Sequence, residues 1–177
     1  MIDMKGIATL EHLNFYLKTK SPLHSKFLIM VWFVTRLFFR LFLGLKYKKI
    51  FKPLENLKII SLLDDNSVYV NTIEQVSNLL EIYNSYMPKL KRGSVLIDVG
   101  AHIGVYSIKM LKSYNVKKII AIEPFMENYK LLCKNLALNK ANFTALNLAI
   151  GNKNGYTKLF YGKMGSATHS IIRKQNK

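Results

Sequence analysis

The chain has 177 residues, half of them hydrophobic, which is enough for one sizeable core but short for two full domains. Plentiful aliphatic and aromatic side chains exclude a disordered chain, and a single cysteine excludes an internal disulfide. The four scattered histidines have no metal-ligand spacing, so we expect no metal site. The net charge of +17 is compatible with an anionic partner, such as acidic lipid, nucleic acid or an acidic substrate, and a solvated basic surface is the alternative.

The N-terminal region, residues 1–53, is predicted to be helical and partly hydrophobic. A short helix is expected around Leu10–Leu17, and the most hydrophobic run extends from Phe27 to Leu45. Nineteen helical residues would span about 28 Å, which is close to the thickness of a bilayer core. However, Arg36 and Arg40 share one helical face inside this run, and each would cost about 2.5–3.5 kcal/mol near the bilayer centre.

Three interpretations of the hydrophobic run therefore stay open. A helix lying in the membrane interface is favoured, because residues 27–52 also include a basic cluster that attracts anionic lipid, namely Lys46, Lys48, Lys49 and Lys52. A spanning anchor and a helix packed against protein are the alternatives. The expected location is the cytoplasm, at the inner face of the membrane if the helix associates with lipid.

Residues 54–92 are predicted to form a linker with an accessory helix. The stretches KIISLL and SVYV indicate a pair of strands around the turn residues 64–66. The accessory helix is expected from Ile73 to Tyr86.

Residues 93–177 alternate between strand and helix patterns. The expected order is strand 94–98, helix 105–114, strand 117–123, helix 126–138 and strand 143–150. This β-α-β-α-β order predicts an α/β fold with parallel strands and right-handed crossovers. In such a sheet, ligands bind beyond the carboxyl ends of the strands, so the residues at those ends are candidate site residues.

The pattern after the first strand decides between cofactors. A dinucleotide-binding turn has the pattern G-x-G-x-x-G, whereas here Asp98 precedes Gly100 and Gly104 in a G-x-x-x-G arrangement. An acid there would repel a pyrophosphate but suits a ligand with a cationic end, such as the sulfonium and ammonium of S-adenosylmethionine. Glu123 ends the second strand 19 residues after Gly104, the spacing of a carboxylate that binds ribose hydroxyls.

The stretches VLIDVGAHIGVYS, IIAIEPFMENYKLLCKNLALN and LNLAIGNKNGYTKLFYG together resemble the FkbM family of S-adenosylmethionine-dependent methyltransferases. The resemblance covers about residues 90–172. It implies a Rossmann-like class I methyltransferase sheet and transfer of a methyl group to a hydroxyl of a sugar, glycan or secondary metabolite. The cofactor residues it implies are Asp98, Gly100, Ala101, His102 and Gly104 in the methionine-side loop, Glu123 at the ribose, Pro124 and Phe125 next to the adenosine, and Asn147 and Ala149 at the adenine.

Two features depart from the family. His102 stands where the family usually has asparagine, and the chain stops at Lys177, before an acidic segment resembling I-D-V-E-G-A-E. We therefore expect a truncated domain with an incomplete sheet, whose first strand has an exposed edge. A catalytically incomplete, membrane-associated binding module is the alternative function. Nucleic-acid binding is disfavoured because no recognisable motif accompanies the charge. The sequence assigns no catalytic base, oligomeric state or specific acceptor.

Overall fold

The computed structural model describes residues 13–42, 57–60, 66–71 and 87–160, together with residues 75, 76, 79, 82 and 85. The chain divides into two compact units, unit 1 with residues 1–80 and unit 2 with residues 81–177. The described parts of the two units are taken in turn.

Unit 1 is organised around a 20-residue helix, α1 (Leu23–Phe42), with further helical residues at 13–18. One face of α1 is buried, and its side chains Ile29, Trp32 and Phe33 are at most 5% exposed. Within the described segments, no helix combines the length and apolar character that crossing a bilayer requires. The end of the predicted hydrophobic run and the basic cluster, residues 43–52, lie outside the described residues.

The strand pair predicted in residues 54–92 is confirmed. Strands β1 (Leu57–Ile60) and β2 (Ser67–Val70) pair in antiparallel register, with Leu57 opposite Val70. Of the predicted helix 73–86, residues 75, 76, 79 and 82 are helical, and its bounds lie outside the described residues.

Unit 2 contains the predicted β-α-β-α-β order. Its elements are β3 (Val95–Val99), α2 (Val105–Tyr114), β4 (Lys118–Ile122), α3 (Met126–Leu138) and β5 (Phe143–Leu146). The three strands are parallel and adjacent in the order β3-β4-β5, as the α/β prediction requires. The core of unit 2 includes four side chains that are fully buried, Ile108, Ile119, Leu132 and Leu136.

The third strand is shorter than predicted, ending at Leu146 rather than at Ile150. Its partner β4 ends at Ile122, and the last ladder bond runs from the Glu123 N–H to the Leu146 carbonyl at 3.0 Å. Because Pro124 has no N–H to donate, pairing cannot continue beyond that point.

The first strand lies at an edge of the described sheet, where the sequence analysis expected an exposed edge. Alternate side chains on β3 are more than half exposed, namely Val95, Ile97 and Val99. Asp98 points to the opposite face of the strand, because successive side chains alternate.

A buried lysine joins α2 to the residues that precede the sheet. Lys109 is 6% exposed, and its Nζ donates to the carbonyls of Ile82 and Ser85 at 3.0 and 3.1 Å. These hydrogen bonds satisfy a charge that would otherwise be costly to bury.

Candidate functional site

The turn between β3 and α2, residues 100–104, has an unusual backbone. Gly100, His102 and Gly104 all have positive φ, at 79°, 53° and 84°. Glycine adopts this left-handed region freely, and among other residues asparagine, aspartate and histidine are enriched there. The backbone therefore explains why the histidine can occupy a position at which the family usually has asparagine.

Gly104 is also required by close packing. A Cβ atom built on it would lie 2.8 Å from Leu132 Cδ1 and 3.8 Å from Leu136 Cγ, both on α3. A side chain at this position would therefore force α3 and the turn apart, in addition to straining the backbone.

The backbone N–H groups of four residues of the turn are bonded within the protein. Gly100 and Ala101 both donate to the Ile122 carbonyl, at 2.9 and 3.0 Å, and Gly104 donates to Ala101 at 2.8 Å. The His102 N–H donates to Glu123 Oε2 at 2.9 Å. A phosphate-binding turn directs such groups at its ligand, so these four N–H groups are not directed at a pyrophosphate.

Glu123 connects the turn to the start of α3. It is 6% exposed, and its Oε1 accepts the N–H of Phe125 at 3.0 Å while Oε2 accepts that of His102. Each carboxylate oxygen has two lone pairs, so both can accept a further hydrogen bond from a ligand hydroxyl. The sequence predicted a ligand-binding carboxylate here but not its bonds to the backbone.

Asp98, at the end of β3, is held by a residue that the sequence analysis missed. Ser107 is fully buried on α2, and its hydroxyl donates to Asp98 Oδ2 at 2.6 Å. Burial raises the pKa of Asp98 above its usual value of 3.8, and the hydrogen bond from Ser107 partly opposes this. A cationic group bound nearby would favour the ionised form.

The end of β5 contacts the same edge of the sheet. Asn147 Nδ2 donates to the carbonyls of Glu123 and Pro124, at 2.8 and 3.0 Å. Asn147 therefore holds the backbone that follows β4, and Ala149 lies half-buried two residues further on. Phe125 is half-buried and forms the N-cap of α3.

The structure thus brings the ends of three strands to one edge. Among the described residues, no group of three or more His, Cys, Asp and Glu side chains could hold a metal ion. This edge offers carboxylate oxygens, the amide of Asn147 and a glycine turn in which Gly100 is exposed.

Comparison with known proteins gives a family match over this region and two further kinds of similarity. Residues 98–177 match the family model of the Methyltransferase FkbM domain. Methyltransferase sdnD of Sordaria araneosa is 32% identical over 97 residues, which cover 52% of this chain and 38% of that protein. The chain therefore spans well under half the length of this curated relative.

Two solved structures also align with the chain. P. horikoshii TYW2, in complex with MeSAdo, has 20% sequence identity and a TM-score of 0.40, covering 52% of this chain and 36% of the other. M. jannaschii TYW2, in complex with AdoMet, has 23% identity and a TM-score of 0.40, covering 57% and 47%.

Proposed function

We propose, from the confirmed resemblance of residues 98–177 to the FkbM methyltransferase domain, that this chain binds S-adenosylmethionine and serves methyl transfer. The observation that carries the proposal is a pair of carboxylates, Asp98 and Glu123, on either side of a glycine turn whose N–H groups are bonded internally. That environment suits a cationic nucleoside and does not suit a dinucleotide.

Each group of candidate residues would contact a different part of S-adenosylmethionine. Asp98 would attract the cationic methionine end, while Gly100 and the residues up to Gly104 would let that end approach the backbone. Glu123 would accept hydrogen bonds from the two ribose hydroxyls, using the lone pairs of its carboxylate oxygens that are not already bonded to backbone N–H groups. The remaining candidates would border the adenosine and its base, namely Pro124, Phe125, Asn147 and Ala149.

We further propose that the acceptor is a hydroxyl group on a sugar, glycan or secondary metabolite, which the FkbM resemblance supports. When bound, the cofactor would supply an activated methyl group on its sulfonium, and the acceptor hydroxyl would lose its proton as its oxygen takes that methyl group. The protein would contribute orientation of the acceptor oxygen and a route for its proton.

Calorimetric titration of the 177-residue chain with S-adenosylmethionine tests the proposal, with NAD⁺ as the comparison ligand. We expect saturable binding of the first and none of the second. No binding at millimolar S-adenosylmethionine, or tighter binding of NAD⁺, would contradict the site assignment.

A second candidate function, contact with an anionic membrane surface, is favoured by the outer face of α1. Phe27, Val34 and Phe38 are 58%, 60% and 51% exposed on this face, although all are large and apolar. Residues 12–54 also contain nine lysines and arginines and no acidic residue. This interfacial contact would place the chain at the inner face of a membrane.

Sedimentation with phosphatidylserine-containing and phosphatidylcholine vesicles tests the membrane contact. Binding should need the anionic lipid and should be lost in Phe27→Ser/Val34→Ser, whereas Tyr156→Ser, at a fully exposed aromatic in unit 2, should bind normally. Equal binding by both variants would contradict it. Vesicle binding without cofactor binding would favour the catalytically incomplete module instead.

A further inference from the structure

We infer that Asn135 is a positioning residue that holds the glycine turn 100–104 in shape from α3, an inference that rests on the proposed function. Asn135 is fully buried, and its Nδ2 donates to the Ile103 carbonyl at 2.9 Å across 32 residues of sequence. Its neighbours on the buried face of α3 are Leu131, Leu132 and Leu136. A polar amide in such a place is costly to bury unless its hydrogen bonds are made.

The same helix contacts the turn at the next residue. Gly104 lies so close to Leu132 that a Cβ there would clash, which brings the turn against α3. Ile103 itself is 1% exposed. Two consecutive residues of the turn are therefore docked on α3, one through a hydrogen bond and one through close packing.

The hydrogen bond acts between two residues of the turn that have positive φ. The Ile103 carbonyl lies between His102 and Gly104, both of which have left-handed backbones. Such conformations persist only where surrounding contacts determine them. By fixing the orientation of the peptide between Ile103 and Gly104, Asn135 opposes its rotation and the relaxation of the turn.

α3 consequently orders both parts of the candidate site. At its N-terminus, the Phe125 N–H donates to Glu123, the proposed ribose ligand, and Glu123 in turn accepts the His102 N–H. Further along the same helix, Asn135 holds the Ile103 carbonyl. The turn is therefore held from both sides, by Glu123 and by Asn135, at adjacent residues.

Asn135→Leu tests this role, because leucine has the same branched shape and number of side-chain heavy atoms but no donor. Asn139→Leu is the control, since the half-buried Asn139, which is the C-cap of α3, also donates through Nδ2 to a carbonyl, that of Asn135 at 2.8 Å, but at the end of the helix and not in the turn. We expect Asn135→Leu to weaken S-adenosylmethionine binding about tenfold, equivalent to about 1.4 kcal/mol. Asn139→Leu should change it less than about twofold, within the few tenths of a kcal/mol expected of an uninvolved site.

Hydrogen exchange of the cofactor-free protein supplies a second readout. The N–H groups of Gly100, Ala101, His102 and Gly104 are hydrogen-bonded, so they should exchange slowly in the wild-type chain. Asn135→Leu should accelerate them selectively, whereas Asn139→Leu should not. If Asn135→Leu does not fold, Asn135→Ser, whose hydroxyl is too short to reach Ile103, takes its place.

The inference would be overturned if Asn135→Leu left hydrogen exchange in the turn unchanged. It would also be overturned if Asn135→Leu and Asn139→Leu had equal effects on affinity and on exchange, because Asn135 would then have only a general structural role. If the wild-type chain binds no S-adenosylmethionine, the proposed function fails. The exchange measurement still decides whether Asn135 positions the turn, so the two failures are distinguishable.

Discussion

Glu123→Gln examines the carboxylate on which the proposed site depends most. In the structure, its two oxygens accept the N–H groups of His102 and Phe125 at 2.9 and 3.0 Å, and the residue is 6% exposed. Glutamine keeps one acceptor oxygen but replaces the other with an NH₂ group, so one backbone N–H would face another donor. A buried donor left unpaired costs about 1–3 kcal/mol, and the free energy of unfolding should fall by about that amount.

Cofactor affinity should fall independently of this loss of stability. Hydrogen bonds to a charged group contribute about 1.5–3 kcal/mol, against about 0.5–1.5 kcal/mol for neutral partners. If two ribose hydroxyls bind Glu123, replacing the charge should cost about 1.4–2.8 kcal/mol, which is about tenfold to a hundredfold in Kd. The two effects have different readouts, because urea unfolding reports the backbone bonds and calorimetry reports the ligand.

Glu127→Gln is the control for this experiment. Glu127 lies four residues further along, is exposed in the first turn of α3, and undergoes the same change of charge. Its affinity for S-adenosylmethionine should stay within about twofold of the wild type, as is usual for an exposed site without ligand contacts. If Glu123→Gln is folded at the assay temperature and binds as tightly as Glu127→Gln, the proposed ribose contact is refuted. If Glu123→Gln also unfolds at the same urea concentration as the wild type, the stabilising role of its hydrogen bonds to the His102 and Phe125 N–H groups is refuted as well.

Three further predictions concern stability. Gly104→Ala should lower the free energy of unfolding by about 1–3 kcal/mol through strain and the clash with α3. Gly151→Ala should change it little in the same urea titration, because a Cβ there would make only an ordinary contact, at 3.9 Å with the Lys153 carbonyl, and the residue has no positive φ. Because the pKa of Asp98 is raised, the folded state retains a proton that the unfolded chain releases. The protein should therefore lose stability as the pH rises from about 3.8 through the folded-state pKa of Asp98. Asp98→Asn should flatten this fall when melting temperatures are measured across the range, and an identical slope in the variant would contradict the assignment. Lys109→Met should lower the free energy of unfolding by about 1–3 kcal/mol, because it removes the Nζ hydrogen bonds to the carbonyls of Ile82 and Ser85, of which, among the described residues, only that of Ile82 keeps other donors, the N–H and hydroxyl of Ser85. An effect no larger than that of the exposed Lys112→Met would contradict this role of Lys109.

Local patterns were sufficient to place the two helices of unit 2. Both α2 and α3 begin and end where the sequence predicted, because glycine, asparagine and proline mark their boundaries and apolar periodicity marks their length. The third strand was predicted too long, because a strand continues only while its neighbour offers hydrogen bonds. That neighbour, β4, ends at Ile122.

The sequence by itself determined which residues meet at the candidate site, since parallel strands bring their carboxyl ends to one edge. Asp98, Glu123 and Asn147 were predicted there for that reason. Only the tertiary structure decided what these residues contact: Ser107 on Asp98, two backbone N–H groups on Glu123, and Asn135 reaching the turn from 32 residues away. Alternation and helical period show which way a side chain faces, but its hydrogen-bond partner depends on how helices and turns pack against the sheet.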